Sequence, residues 1–190
     1  MDMPVIGYAL TGSFCTFRKS IEQLQQLLDH GYHVLPMLSF NASSIDTRFG
    51  KAEDFRRELH ARTNRKVICT LEDAEPIGPQ KLCDLLVVSP CTGNTLGKLA
   101  AGIYDTPVTL AVKSQLRAER PVLLGVSTND ALSGSARALG TLLPMRNVYF
   151  LPMAQDAPQG KPRSMVCLFE KTLNAVQAAL EGRQLTPIIC

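Results

Sequence analysis

Six short apolar, β-branched runs punctuate the chain: residues 4–11 (PVIGYALT), 32–40 (YHVLPMLSF), 66–70 (KVICT), 84–90 (DLLVVSP), 121–128 (PVLLGVST) and 147–153 (NVYFLPM). Several are apolar nearly throughout, where a strand with one wet face would alternate, so they read as strands covered on both sides of a parallel sheet. Helical spacing fills the intervals. Phe17, Ile21, Leu24 and Leu28 share one face, and Gly31 supplies a stop. Leu96, Leu99, Ala100 and Ile103 repeat the spacing, as do Phe169, Leu173, Val176 and Leu180. Strands alternating with helices predict right-handed crossovers and an α/β, Rossmann-like three-layer sandwich around a mostly parallel sheet of about six strands. No linker or repeat divides residues 1–190, which are expected to form a single domain.

Composition excludes several classes. With 20 Lys and Arg against 17 Asp and Glu, the net charge of +3 is too small and scattered for a nucleic-acid partner. No leader and no bilayer-length apolar stretch is present, so the expected setting is cytoplasmic, without a membrane. The six cysteines contain no C-x-x-C pair and no zinc-type cluster with histidine, so no metal site is expected. Residues 51–64, rich in Arg and Glu, read as a solvated helix face.

In such folds ligands bind beyond the carboxyl ends of the strands, and three of those ends carry unusual residues. The first runs into TGSFCTFRKS, where Gly7 to Ser13 approaches a P-loop without its lysine. ATP or GTP binding is therefore not expected, but Gly12 and Ser13 before a helix suit a single phosphate, as well as an ordinary turn. The second ends in SFNASS, whose Ser39, Asn41, Ser43 and Ser44 offer hydroxyls and an amide, or merely a loop. The fourth run leads into SPCTGNTLGKLAAGIYDTPV (89–108). Thr92 or Asn94 can cap its helix. Gly93, Gly97 and Gly102 each cost about 1 kcal/mol relative to Ala inside a helix, which points to a close backbone approach.

That stretch resembles the P-A-S-A-N-T…K-x-A-x-G-x-x-D segment of the homo-oligomeric flavin-containing cysteine decarboxylase superfamily. Pro90, Asn94, Thr95, Lys98, Ala100, Gly102 and Asp105 match in order, while Cys91, Thr92 and Gly93 replace Ala-Ser-Ala with small residues. Residues 127–166 further resemble the B-subunit family of dipicolinate synthase, through an N-D-x-L…N-x-Y-F-x-P…Q-D…K-P-x-S pattern. The resemblance implies that residues 1–190 are one flavoprotein-like domain. It implies FMN, its phosphate on Gly12, Ser13 and Ser39, and its ring against Pro90, Cys91, Thr92, Asn94 and Thr95. It also implies a homo-oligomer, a separate A subunit of dipicolinate synthase as partner, and a small dicarboxylate substrate. The implied reaction is oxidation of a dihydrodipicolinate-type precursor to pyridine-2,6-dicarboxylate during sporulation. Asn129, Lys161 and Arg163 are the expected substrate contacts, with Arg18 and Lys113 as further cationic candidates.

Two departures bear on activity. Where the decarboxylases have a catalytic His-Ile, this chain reads Pro76-Ile77, and their P-x-M-N-x-x-M clamp is replaced by VSTNDAL. Without the imidazole a decarboxylase-like reaction has no obvious base, and no catalytic residue is assigned. A non-catalytic role, completing or stabilising the A subunit, stays open beside the oxidoreductase reading. The segment 154–164 (AQDAPQGKPRS) is expected to form a long loop, which composition reads equally well as an exposed connector and which the resemblance of its Q-D…K-P-x-S pattern favours as a lid.

Overall fold

Five strands stand side by side in the order β2-β1-β3-β4-β5, all parallel: β1 (Val5–Leu10), β2 (His33–Leu38), β3 (Leu85–Cys91), β4 (Val122–Thr128) and β5 (Val148–Phe150). The computed structural model of the chain describes residues 3–190. Side chains alternate across the sheet as the pleat requires. Ile6, Tyr8 and Leu10 of β1 and Leu85 and Val87 of β3 face one core layer; Ala9, Leu86 and Val88 face the other. The first layer is closed by α1 (Phe17–Asp29), α3 (Ala52–Thr63) and α8 (Thr172–Leu180), which insert Phe17, Leu24, Phe55, Leu59 and Val176. The second is closed by α5 (Gly93–Ala100), α6 (Pro107–Arg117) and α7 (Ala136–Leu142), through Leu96, Leu99, Val108, Val112 and Leu139. Two short helices, α2 (Phe40–Ser44) and α4 (Leu71–Ala74), complete the order.

The three-layer sandwich and its mostly parallel sheet are as the sequence predicts, while the strand list needs three corrections. Residues 66–70 form no strand but a single parallel bridge, Met37 to Ile68, at the edge of β2. The run 147–153 is cut at Leu151-Pro152 into β5 and a two-residue β6 (Met153–Ala154), since proline cannot donate to a ladder. β6 pairs antiparallel with β7 (Met165–Cys167), which in turn pairs antiparallel with Ser127 and Thr128 at the end of β4. The segment 154–164 is therefore the tip of a hairpin. Its backbone is bonded internally, Lys161 N–H to Ala157 at 2.7 Å, and outward, Leu132 N–H to the Arg163 carbonyl at 3.0 Å.

Two helices end on glycine. Gly31 (φ +87°) follows α1 and Gly102 (φ +69°) follows α5, each in the left-handed region. After α5 the Ile103 N–H reaches the Lys98 carbonyl at 2.8 Å and the Gly102 N–H that of Leu99 at 3.2 Å, a Schellman closure. This corrects the expectation of a helix through Ile103. Gly102 terminates α5, and Ile103 lies outside it, 45 % exposed.

Candidate functional site

The carboxyl ends of β1, β3 and β4 open onto one edge of the sheet, and the backbone there is tied across strands. Thr11 Oγ1 donates to the Pro90 carbonyl at 2.8 Å and accepts from the Thr92 N–H at 3.0 Å, so the loop after β1 is tied to the start of α5. Thr92 is the N-cap of α5, accepting from the Thr95 N–H. Asn94 is therefore free of capping, and its side chain is exposed. Gly93 is needed for a reason internal to the chain: a Cβ there would lie 2.5 Å from Ser135 Oγ and 2.8 Å from both Asp130 Oδ1 and Thr128 Oγ1. A Cβ at Gly97 would meet nothing within 4 Å, so close approach does not explain that glycine.

Two clefts flank this junction. The larger, about 780 Å³, is lined by Gly12, Ser13, Phe14, Cys15, Thr16 and Lys19 after β1, by Thr92, Gly93 and Asn94, by Ser127 to Asp130 after β4, by Asp156, Lys161, Ser164 and Val166 of the hairpin, and by Phe49. The smaller, about 330 Å³, is lined by Ser39, Phe40 and Asn41 after β2, by Thr95, Lys98 and Thr106, and again by Gly12, Thr92 and Asn94. Both volumes fall in the range of small-molecule sites. The three shared residues make the clefts neighbours across one ridge.

Of the residues expected to hold a cofactor, Gly12, Ser13, Thr92 and Asn94 line the larger cleft, and Ser39 and Thr95 the smaller. Pro90 and Cys91 line neither. Both are buried, and burial pushes the Cys91 thiol far above the ordinary thiol range. Of the cationic candidates Lys161 faces the larger cleft. Arg163 instead donates to the Leu132 carbonyl at 3.3 Å, Arg18 pairs with Glu58 at 2.6 Å, and Lys113 lies over the Tyr104 ring. Asn129 lines the larger cleft. Ser43 and Ser44 spend their hydroxyls on the Phe40 carbonyl within α2.

Charge in the larger cleft is divided. Asp130 accepts hydroxyls from Thr128 and Ser135, which hold its carboxyl below the usual carboxylate range. Asp156 is held low by Ser164 and by the Lys161 ammonium 3.3 Å away. Lys19, which sequence motifs did not single out, lines the same cleft. In the smaller cleft Lys98 is neutralised by Asp105, at 2.8 and 2.9 Å from its two oxygens, and that pairing lowers the Asp105 carboxyl. No histidine lines either cleft, and Pro76 and Ile77 line neither.

The donor set fits a flavin mononucleotide. Ser13 makes no capping bond with its side chain, and Ser39 Oγ accepts from the Ala42 N–H, leaving its own O–H to donate. Both hydroxyls stand beside the small backbone of Gly12, and an unengaged carboxamide, Asn94, stands on the ridge between the clefts.

Comparisons with known proteins identify the chain's relatives. Residues 2–170 match the family described as Flavoprotein. The chain is 39 % identical over 184 residues to the B subunit of dipicolinate synthase from Bacillus subtilis, covering 97 % of this chain and 92 % of that one. Its fold is similar to the crystal structure of the B subunit of dipicolinate synthase from Bacillus halodurans, with a TM-score of 0.90, 35 % identity and coverage of 98 % and 96 %. It is also similar in fold to the FMN-dependent cysteine decarboxylase SpaF, with a TM-score of 0.68, 19 % identity and coverage of 95 % and 97 %.

Proposed function

Since the chain belongs to the Flavoprotein family, as a near full-length relative of the B subunit of dipicolinate synthase, we propose that it binds FMN across the ridge between its two clefts. In this reading it serves, together with the A subunit of that synthase, in oxidising a dihydrodipicolinate-type precursor to pyridine-2,6-dicarboxylate. The observation that carries it is the convergence of Gly12, Thr92 and Asn94 on both clefts, with a hydroxyl donor in each, Ser13 in the larger alongside Asp130 and Asp156, and Ser39 in the smaller. Gly12, Ser13 and Ser39 would hold the phosphate through N–H and O–H groups, aided by the positive end of the helical run that starts at Phe14. Asn94, Thr92 and Thr95 would border the ring system. FMN supplies acceptance of two electrons with a hydride, and the chain's own task is placement and electrostatics. Asn129 would hydrogen-bond the substrate. Lys161 and Lys19 would receive its carboxylates, while Asp130 and Asp156, whose carboxyls are held low, would stay ionised beside it.

The test is the colour and stoichiometry of the protein purified after flavin supplementation. We expect the yellow flavin absorption and about one FMN per chain. A colourless protein that nevertheless activates the A subunit would replace this reading with a non-catalytic, accessory role.

A further inference from the structure

We infer that the mouth of the larger cleft is a receptor for a planar, anionic ring, with Phe49 as its stacking wall and Lys19 as its counter-charge. This rests on the preceding reading only in taking the pyridine-type dicarboxylate as the ring in question.

Phe49 is a large apolar side chain left 41 % exposed beside a polar cleft, and it is held there firmly. Thr47 and Gly50 exchange backbone bonds of 3.0 and 3.1 Å, and the Phe49 N–H donates to Thr47 Oγ1 at 3.1 Å. The turn is seated on the core. Gly50 has φ +146°, and a Cβ there would lie 2.8 Å from the ring of buried Phe55. One face of the Phe49 ring is taken by the Arg48 guanidinium, 4.9 Å from its centroid; the other is suited to a flat conjugated ligand, which stacks without distorting.

Lys19 supplies the second, independent observation. The first turn of α1 carries Arg18 and Lys19 and no acidic residue, against the helix dipole. Arg18 is compensated by Glu58. Lys161 and Lys98 are compensated by Asp156 and Asp105. Among the described residues Lys19 has no carboxylate partner, so it is the cation lining the clefts whose charge the chain leaves unneutralised. An aromatic face and an open ammonium together select a ring that is both flat and anionic, and a saturated ring of equal charge meets only half of that description.

Isothermal titration decides this, with pyridine-2,6-dicarboxylate and cis-cyclohexane-1,3-dicarboxylate, a saturated ring that also carries two negative charges and no protonated amine, as probes, on wild type, Phe49→Leu and Lys19→Gln. FMN content and light-scattering mass are recorded for each protein. Wild type should prefer the pyridine ring. Phe49→Leu keeps the apolar bulk and loses the π-face, so it should weaken the pyridine probe roughly three- to tenfold while sparing the cyclohexane one. Lys19→Gln should weaken both by about tenfold or more, at unchanged FMN content. The proposal is overturned if Phe49→Leu weakens both probes equally or neither. It is also overturned if Phe49→Leu alters only the mass, or if Lys19→Gln loses FMN and not the dicarboxylates. Wild type that takes up no FMN would sink the flavin reading, and its discrimination between the two rings would still decide this one.

Discussion

At Thr92 and Asn94 two roles that look interchangeable in sequence fall to different side chains. The cap belongs to Thr92, so Thr92→Val should cost about 1 kcal/mol of stability in urea unfolding. Asn94→Ala, at an exposed position outside the cap, should leave unfolding unchanged and weaken FMN binding at least several-fold by fluorescence titration. If Asn94→Ala shifts the unfolding midpoint and not the FMN affinity, Asn94 is a helix residue and nothing more. Asp130 allows a prediction in pH. Hydrogen bonds from Thr128 and Ser135 hold its folded-state pKa below the ordinary 3.8. Its contribution is thus present above that value and lost as pH falls through the folded pKa. Asp130→Asn should therefore melt below wild type at neutral pH, and the gap should close on acidification below 3.8. A gap that stays constant down to acid pH would mean that the carboxylate's charge adds nothing. Other carboxyls held low, Asp105 and Asp156 among them, titrate in both proteins and cancel in the comparison.

The β6–β7 hairpin turns one sequence pair into two separate jobs. Lys161 faces the cleft beside Asp156, while Arg163 ties the hairpin tip to Leu132. Lys161→Gln should lower dicarboxylate affinity, and Arg163→Gln should raise amide exchange at the tip with little effect on affinity. Equal losses of affinity in both would mean that the hairpin binds as one charged unit. The hairpin also shows where sequence reading stops. β1, β3 and β4 were legible because burial on both faces demands continuous apolar runs, and α1 because its spacing and Gly31 mark one face and one end. A strand of two residues, β6, and one of three, β7, have no period to detect, and their pairing is decided by the end of β4. Residues 66–70 have strand composition but only one bridge to β2. In the site, Gly12, Ser13, Thr92 and Asn94 could be read from loops that follow strands. Phe49 and Lys19 could not, because the first is brought to the cleft by a turn packed on Phe55, and the second is marked only by a missing counter-charge.

At the scale of the whole molecule, the segment between β2 and α3 leaves apolar side chains at the surface. Phe40 and Ile45 are 42 % and 43 % exposed, and Phe40 borders the smaller cleft where Ser39 would meet the phosphate. Phe40 and Ile45 are thus large apolar side chains left to solvent near a site that is otherwise polar, and contiguous surfaces of this kind are ones that another molecule covers. More than half of each residue is already buried, so covering the rest contributes about 1 kcal/mol apiece. We predict a light-scattering mass that is a multiple of the 20.7 kDa chain. Replacing Phe40 and Ile45 together by Ser should shift that mass toward a single chain and speed FMN loss, with the unfolding midpoint of the dispersed chain little changed because neither residue belongs to the core. A wild-type mass of one chain with FMN firmly bound would show that the two clefts retain the cofactor without a neighbour.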